Sequence, residues 1–370
     1  MEPIILKELP LDSIPNNINI NNLLPDIISA NNALAKLDGA LLSLKNPGIL
    51  LSPLLHKEAV SSSTIEGTHA TLNEVLEYEA VKNNSEKNEK DQDIKEILNY
   101  KKAIIRGMFL LKQKPLSENL IKELHGILLG SVRGKGKNPG SFRKGLVYIG
   151  RPNSSIDEAS FIPPSPENVT SLFSNWERFL NMNNSLDHLV KIGIAHYQFE
   201  AIHPFMDGNG RIGRLIIPLY LYQSKLLSYP ILYISSYLEK YRGQYMDLLH
   251  NIDGSENNWE AWLRFFLTGI RIQSEEAKNK IQDILVLKEK HIQEIARQIK
   301  SSYTNEFIEF IYSQPIFTYK NVLEYSQIKT PQTVYNLIKK FESANIISRV
   351  SEMKRNRVYT FNALLKIINN

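Results

Sequence analysis

The stretch HPFMDGNGRIGR, His203 to Arg214, places one histidine, one carboxylate, three small turn-forming residues and two arginines within twelve positions. Upstream, DHLVKIGIAHYQFEAI carries Leu189, Ile192, Ala195 and Phe199 at spacings of three and four, which predicts a helix. Pro204 and the Asp-Gly-Asn-Gly run should stop it. Downstream, RIGRLIIPLYLYQSKLL predicts a second helix starting near Arg211. Leu215 to Leu221 leaves little room for a polar face, so this helix is expected to be buried, with a kink or one lost backbone hydrogen bond at Pro218. The fold is therefore expected to be mainly α, with these twelve residues at the junction of two core helices.

The residue types suggest a chemistry. His203, at a helix end and titrating near neutrality, suits a general base. Asp207 is a hard oxygen ligand of the kind Mg²⁺ takes together with substrate phosphates. Gly208, Asn209 and Gly210 permit positive φ and close backbone approach ahead of a helix N-terminus, where amide groups form an anion site. Arg211 and Arg214, three apart on one helix face, add the planar donors that phosphate oxygens prefer. Taken singly, each feature is usually structural; their joint order and spacing point to phosphate chemistry on a nucleotide.

The stretch resembles the signature of the Fic (filamentation induced by cAMP) family, HxFx[D/E]GNGRxxR. His203, Phe205, Asp207, Gly208, Asn209, Gly210, Arg211 and Arg214 occupy all its fixed positions. The resemblance implies an all-helical Fic core that acts as a protein adenylyltransferase, moving AMP from ATP to a hydroxyl side chain of a protein target. His203 would deprotonate that Ser, Thr or Tyr, and Asp207 would hold Mg²⁺ on the α- and β-phosphates. Gly208, Asn209 and Gly210 would cradle those phosphates, Arg211 and Arg214 would handle the β- and γ-phosphates, and Phe205 would anchor the loop. GSFRKGLVYIG followed by FIPPSPENV is similar to the family's flap, a small β-hairpin at about 145–166 on which an unidentified protein target would dock. YLEKYRGQYMDLL resembles the segment that closes the adenine pocket, with Tyr241 and Tyr245 as candidates. Self-modification, a homodimer and removal of AMP also lie within the resemblance.

In SSSTIEGTHATLNE, Ser61 to Glu74, Ser62 and Glu66 are four apart and share a helix face, and Gly67 is a natural terminator. This matches the family's inhibitory pattern [S/T]xxxE[G/N]. It implies that Glu66 pairs with Arg214 and that ATP then binds unproductively.

The rest of the chain bounds this reading. With 370 residues, 42% hydrophobic, it can bury a sizeable core in two or three domains. Having no cysteine, it can form neither disulfides nor thiolate zinc sites, and it has no cysteine nucleophile. GSVRGKGKNPG is no P-loop, and His188, His196 and His203 come with no HExxH pattern. MEPIILKELPLD lacks the features of a secretory signal and no apolar run is long enough for a membrane span, so a cytoplasmic protein without membrane association is expected.

Of the net charge of +5, most sits after residue 300, with nine Lys or Arg against five Asp or Glu. There, TNEFIEFIYSQ, TYKNVLEYSQ and TPQTVYNLIKKFESANI predict three helices, followed by two short strands around a basic turn. The pattern resembles a winged helix-turn-helix, so the alternative function is a DNA-binding regulator with a Fic core. Thr330 to Ala344 would be its recognition helix, exposing Gln332, Thr333 and Asn336, and Lys354, Arg355 and Arg357 would lie in its wing. The expected organisation is an N-terminal helical region at 1–100 with the inhibitory helix at about 55–67, a Fic core at 101–275, a connecting helix at 276–300 and the winged helix at 301–370.

Overall fold

In a computed structural model, residues 18–370 are described apart from 45, 82–88, 131–134, 151–157, 160, 184, 253–255, 299–300, 327, 329, 351–356 and 370. The chain is mainly helical, as expected. The central pair is α7 (His188–Ile202) and α8 (Asn209–Gln223), joined by the five residues His203 to Asp207 and by Gly208, the N-cap of α8. Asp187 caps α7 by accepting the Leu189 and Val190 amides. Almost every residue of α7 is buried, because the helix is packed on all sides. Trp176 and Trp262 donate their indole N–H groups to the Ala195 and Gly193 carbonyls on two of these sides. α8 is buried as predicted and remains one helix through Pro218.

Around this pair stand α4 (Glu89–Leu110), α5 (Glu118–Leu128), α6 (Pro166–Asn181) and α11 (Glu256–Gln298). α11 has 43 residues, so it spans about 65 Å. Its N-terminal half packs on α7 through Trp262 and Phe266, and α1 (Ile20–Leu42) lies along it. Its C-terminal half reaches the end of the chain, where His291 hydrogen-bonds the Tyr312 hydroxyl at 3.1 Å and meets Phe361. The expected boundary at 275/276 thus falls inside one continuous helix, and that at 100/101 falls inside α4. Both helices pack on elements from either side of the expected boundary, so composition shows no break there.

The C-terminal unit contains α12 (Thr304–Ser313), α13 (Tyr319–Tyr325) and α14 (Pro331–Ser343), with an antiparallel sheet ordered β1-β3-β2. β1 (Ile316–Thr318) pairs Ile316 with Thr360 of β3 (Val358–Thr360), and β2 (Ser348–Arg349) pairs Ser348 with the same residue. β1 and a final helix, α15 (Asn362–Asn369), add to the sequence expectation. Lys354 and Arg355 of the expected wing lie outside the described residues, and Arg357 is half-buried. No helix among the described residues is long and apolar enough to cross a membrane.

α2 (Pro47–Ile65) is longer than the expected inhibitory helix and stops one residue before Glu66. Glu66 is its C-cap, and Gly67 follows at φ +93. The expected flap hairpin is reduced, among the described residues, to a two-way backbone pair between Ile149 and Phe161.

Candidate active site

The turn between α7 and α8 is tightly determined. His203 ends α7 in the left-handed region at φ 50, and Gly208 opens α8 at φ 78. Asn209 clips the loop from inside: its Oδ1 accepts the Phe205 amide and its Nδ2 donates to the Phe205 carbonyl, both at 2.9 Å. Phe205 is fully buried and stacks on His125 with ring centroids 3.8 Å apart. His125 accepts the Gly140 amide at Nδ1, so its Nε2 carries the hydrogen and donates to the Asp207 carbonyl at 3.0 Å.

His203 Nδ1 lies 3.3 Å from the Glu200 carbonyl, which can only accept, so the hydrogen is on Nδ1 and the Nε2 lone pair is free. Burial pushes this imidazole down to about 4, and the nearby Arg143 cation adds to the effect while Glu66 and Asp207 oppose it. The ring is neutral at pH 7, the form a general base needs.

Arg214 is buried to 1% on the first turns of α8. Its Nε donates to Ser62 Oγ at 3.0 Å, and its Nη2 donates to the Ser62 carbonyl at 2.8 Å and to Glu66 Oε1 at 2.6 Å. Burial works against the Glu66 carboxylate, yet the Arg214 charge and hydrogen bond hold it below the usual carboxylate range. A Cβ placed on Gly210 would lie 2.2 Å from Glu66 Oε1 and 2.9 Å from Arg214 Nη1. The Glu66 carboxylate therefore rests on the N-terminus of α8, where an anion would bind.

Arg211 is buried too. It donates through Nη1 to Glu96 at 2.9 Å and through Nη2 to Asp207 at 3.3 Å. Its Nε is buried with no hydrogen-bond partner among the described residues. The Asp207 side chain is 45% exposed and faces the same side. An orphaned cationic donor beside an exposed hard carboxylate fits a phosphate with a bound Mg²⁺. No group of three or more metal-ligating side chains gathers anywhere among the described residues, so Asp207 would hold the metal together with the phosphates.

Residues 24–108 match a family model described as Fic/DOC family N-terminal, and residues 115–221 match one described as Fic/DOC family. The two together cover more than half of the chain. The chain belongs to the Fic/DOC family. Curated Fic relatives include the "Protein adenylyltransferase Fic" of Drosophila mojavensis, 38% identical over 102 residues, which make up 26% of this chain and 18% of the relative. The like-named protein of Aedes aegypti is 34% identical over 150 residues, 39% of this chain and 26% of the relative. The matches thus span about a quarter or less of those relatives' length. Among solved structures, a Fic family protein from Desulfovibrio desulfuricans G20 superposes with a TM-score of 0.56 at 22% identity, covering 94% of this chain and 98% of the other. This last likeness supports the Fic fold alone.

The Fic motif residues from His203 to Arg214 and the pair Ser62 and Glu66 come together at one site. The two tyrosines do not behave alike. Tyr241 is 38% exposed at the junction of α9 (Ser235–Lys240) and α10 (Arg242–His250). Tyr245 is 1% exposed with its hydroxyl 2.9 Å from His196 Nε2, so it is a core residue with no open face for a base. Sequence reasoning missed Arg143, His125, Glu96 and Glu200. Nothing local signals that any of them faces the Fic loop: Glu96 is one of several charged residues at the start of α4, and Arg143 is followed directly by Lys144.

Proposed function

We propose that the chain is a protein adenylyltransferase, moving AMP from ATP to a hydroxyl side chain of a protein target, and that Glu66 restrains it. The reading rests on one juxtaposition: the free Nε2 of a neutral His203 stands beside an α8 anion cradle that the Glu66 carboxylate fills while holding Arg214. The shared name of the curated relatives agrees with it.

His203 Nε2 takes the proton of the target hydroxyl as that oxygen bonds to the α-phosphorus. The bond from the α-phosphorus to its bridging oxygen breaks in line, and pyrophosphate leaves. Asp207 would hold Mg²⁺ together with phosphate oxygens, and the metal would supply charge neutralisation. The amides of Gly210 and Arg211, the Arg211 guanidinium and, once released, Arg214 would stabilise charge on the phosphates. Tyr241 remains the candidate for the adenine, and the exposed Leu146, Tyr148 and Ile149 of the flap would meet the target.

The test is incubation with labelled ATP and Mg²⁺ in lysate and alone, comparing wild type, His203→Ala and Glu66→Gly. Labelling should rise in Glu66→Gly and vanish when His203→Ala is combined with it. Label that persists without His203 would sink the assigned base.

We also read residues 304–370 as a winged helix, on the strength of α12 to α14 and the β1-β3-β2 order. Exposed Gln332 and Asn336 near the start of α14 would face DNA. Affinity for duplex DNA that falls steeply with salt is the check.

A further inference from the structure

The segment leading into the flap carries a buried cation that the chemistry above leaves unused. Arg143 is 2% exposed, and its donors meet backbone carbonyls only among the described residues. Its amide donates to the Pro204 carbonyl at 2.9 Å and its Nε to the His203 carbonyl at 2.8 Å. Nη2 donates to the Pro164 carbonyl and, at 3.4 Å, to that of Ile202, and Nη1 donates to the Gly145 carbonyl at 3.3 Å.

Part of this pattern is helix capping. A cation at the C-terminus of α7 satisfies orphan carbonyls and suits the helix dipole, and Ile202 and His203 supply those carbonyls. Capping does not require Gly145 or Pro164. These two stand where the flap departs and returns, just outside the Ile149–Phe161 pair. One rigid guanidinium therefore ties both arms of the flap to Ile202 and His203, and the Arg143 amide adds Pro204. Lysine could not do this, since its three donors radiate from one compact nitrogen on a flexible stem, whereas these bonds leave from three separate nitrogens of a rigid plane.

We infer that Arg143 is a positioning residue, fixing the flap, and with it the target hydroxyl, relative to the His203 imidazole. The inference rests on adenylyl transfer with His203 as base. It explains how a base held in a left-handed backbone conformation keeps its register with a docking strand that is far away in sequence.

The experiment uses the full chain carrying Glu66→Gly, with Arg143→Lys or Arg143→Met added. Three quantities are measured: affinity for a fluorescent ATP analogue with Mg²⁺, the rate of AMP transfer from labelled ATP across pH, and amide exchange. Nucleotide affinity should stay within about twofold, because Arg143 touches no phosphate-binding group. Transfer should fall about tenfold in Arg143→Lys and about a hundredfold in Arg143→Met, as expected for a misplacement near 1 Å.

The charges facing His203 in the wild-type chain are Glu66, Asp207 and Arg143, of which Glu66 is absent in the Glu66→Gly background. Removing the Arg143 cation should move the acid limb of the rate to higher pH in Arg143→Met and leave it in place in Arg143→Lys. A fall in transfer in Arg143→Lys with the limb in place therefore reports lost geometry and not lost charge. Amides at 145–149, 161–162, 203 and 205–206 should lose protection together in both variants, while α7 and α11 keep theirs.

Protection unchanged at the flap and the loop in both variants overturns the coupling, as does a fall in transfer matched by an equal fall in nucleotide affinity. Should Arg143→Met lose its cooperative melt, Arg143→Lys carries the decision. If the Glu66→Gly parent transfers no AMP at all, the functional reading fails, and the exchange measurement still decides whether Arg143 joins flap to loop.

Discussion

Three hydrogen bonds from Arg214 to Ser62 and Glu66 are what tie α2 to the catalytic loop. A hydrogen bond between charged groups contributes about 1.5–3 kcal/mol, so Glu66→Gly is expected to raise AMP transfer about ten- to hundredfold. An unchanged rate would remove the restraint from the proposal. Glu200 gives a second prediction at this scale. Its Oε1 is buried without a hydrogen-bond partner among the described residues, and burial raises its carboxyl from 4.5 to about 8. Glu58 is also raised, to about 7, by burial on α2, with bonds from Ser235 and Tyr100 opposing the shift. Between 4.5 and these values the folded chain holds protons that the unfolded chain releases, so stability declines as pH rises through that window. The melting temperature should therefore drop between about pH 7 and pH 8, above the range in which the buried His125, His196 and His203 oppose the effect, and Glu200→Gln should flatten that slope. His203 works in the opposite sense: its value of about 4 lies below the ordinary 6.5, so its contribution is lost as pH falls through that range. The residues from His203 to Arg214 were legible because their chemistry is local. Arg143 and Glu96 were not, since their partners are separated from them by 60 and 115 positions.

At the scale of elements, α7 and α8 were legible, α8 starting two residues before Arg211 and ending four before Leu227, because apolar periodicity and turn chemistry coincide at their shared junction. Gly208 illustrates the agreement: its φ of 78 is the conformation that lets α8 begin immediately after Asp207. Phe205 holds that junction against His125, α5 and Phe142. Phe205→Ala should cost about 3–5 kcal/mol in denaturant unfolding, since a fully buried ring leaves a cavity. A loss under 1 kcal/mol would mean that Asn209 and His125 fix the loop unaided. β1 escaped notice because three residues cannot carry a period, and α15 because its apolar face is meaningful only against α2 and α11. Of the expected flap strands, only the Ile149–Phe161 pair appears among the described residues.

Across the whole molecule, α2 lies between the catalytic helices and the C-terminal unit. On one side Glu58 accepts the Tyr100 hydroxyl at 3.0 Å and the Ser235 amide at 3.3 Å, and Ser61 meets Ser236. On the other, Lys57 donates to the Ile368 and Asn369 carbonyls at 2.7 and 3.2 Å, closing the C-terminus of α15. Lys280 of α11 reaches the same Ile368 carbonyl, and α12 packs along α2. Lys57→Met should therefore destabilise the chain by about 1.5–3 kcal/mol and raise amide exchange in α15. If exchange rises only in α2, the contact is not what holds α15. The sequence alone determined the helical class, the residues of the phosphate site and the candidate restraint, because local spacing encodes helix faces, turns and the order of reactive groups. Only the tertiary structure decided that Glu66 lies on the first turn of α8, that Tyr245 is core, that Arg143 joins flap to base and that α2 touches both units. Each of these depends on groups brought together from distant parts of the chain, and burial then sets which of them stay charged.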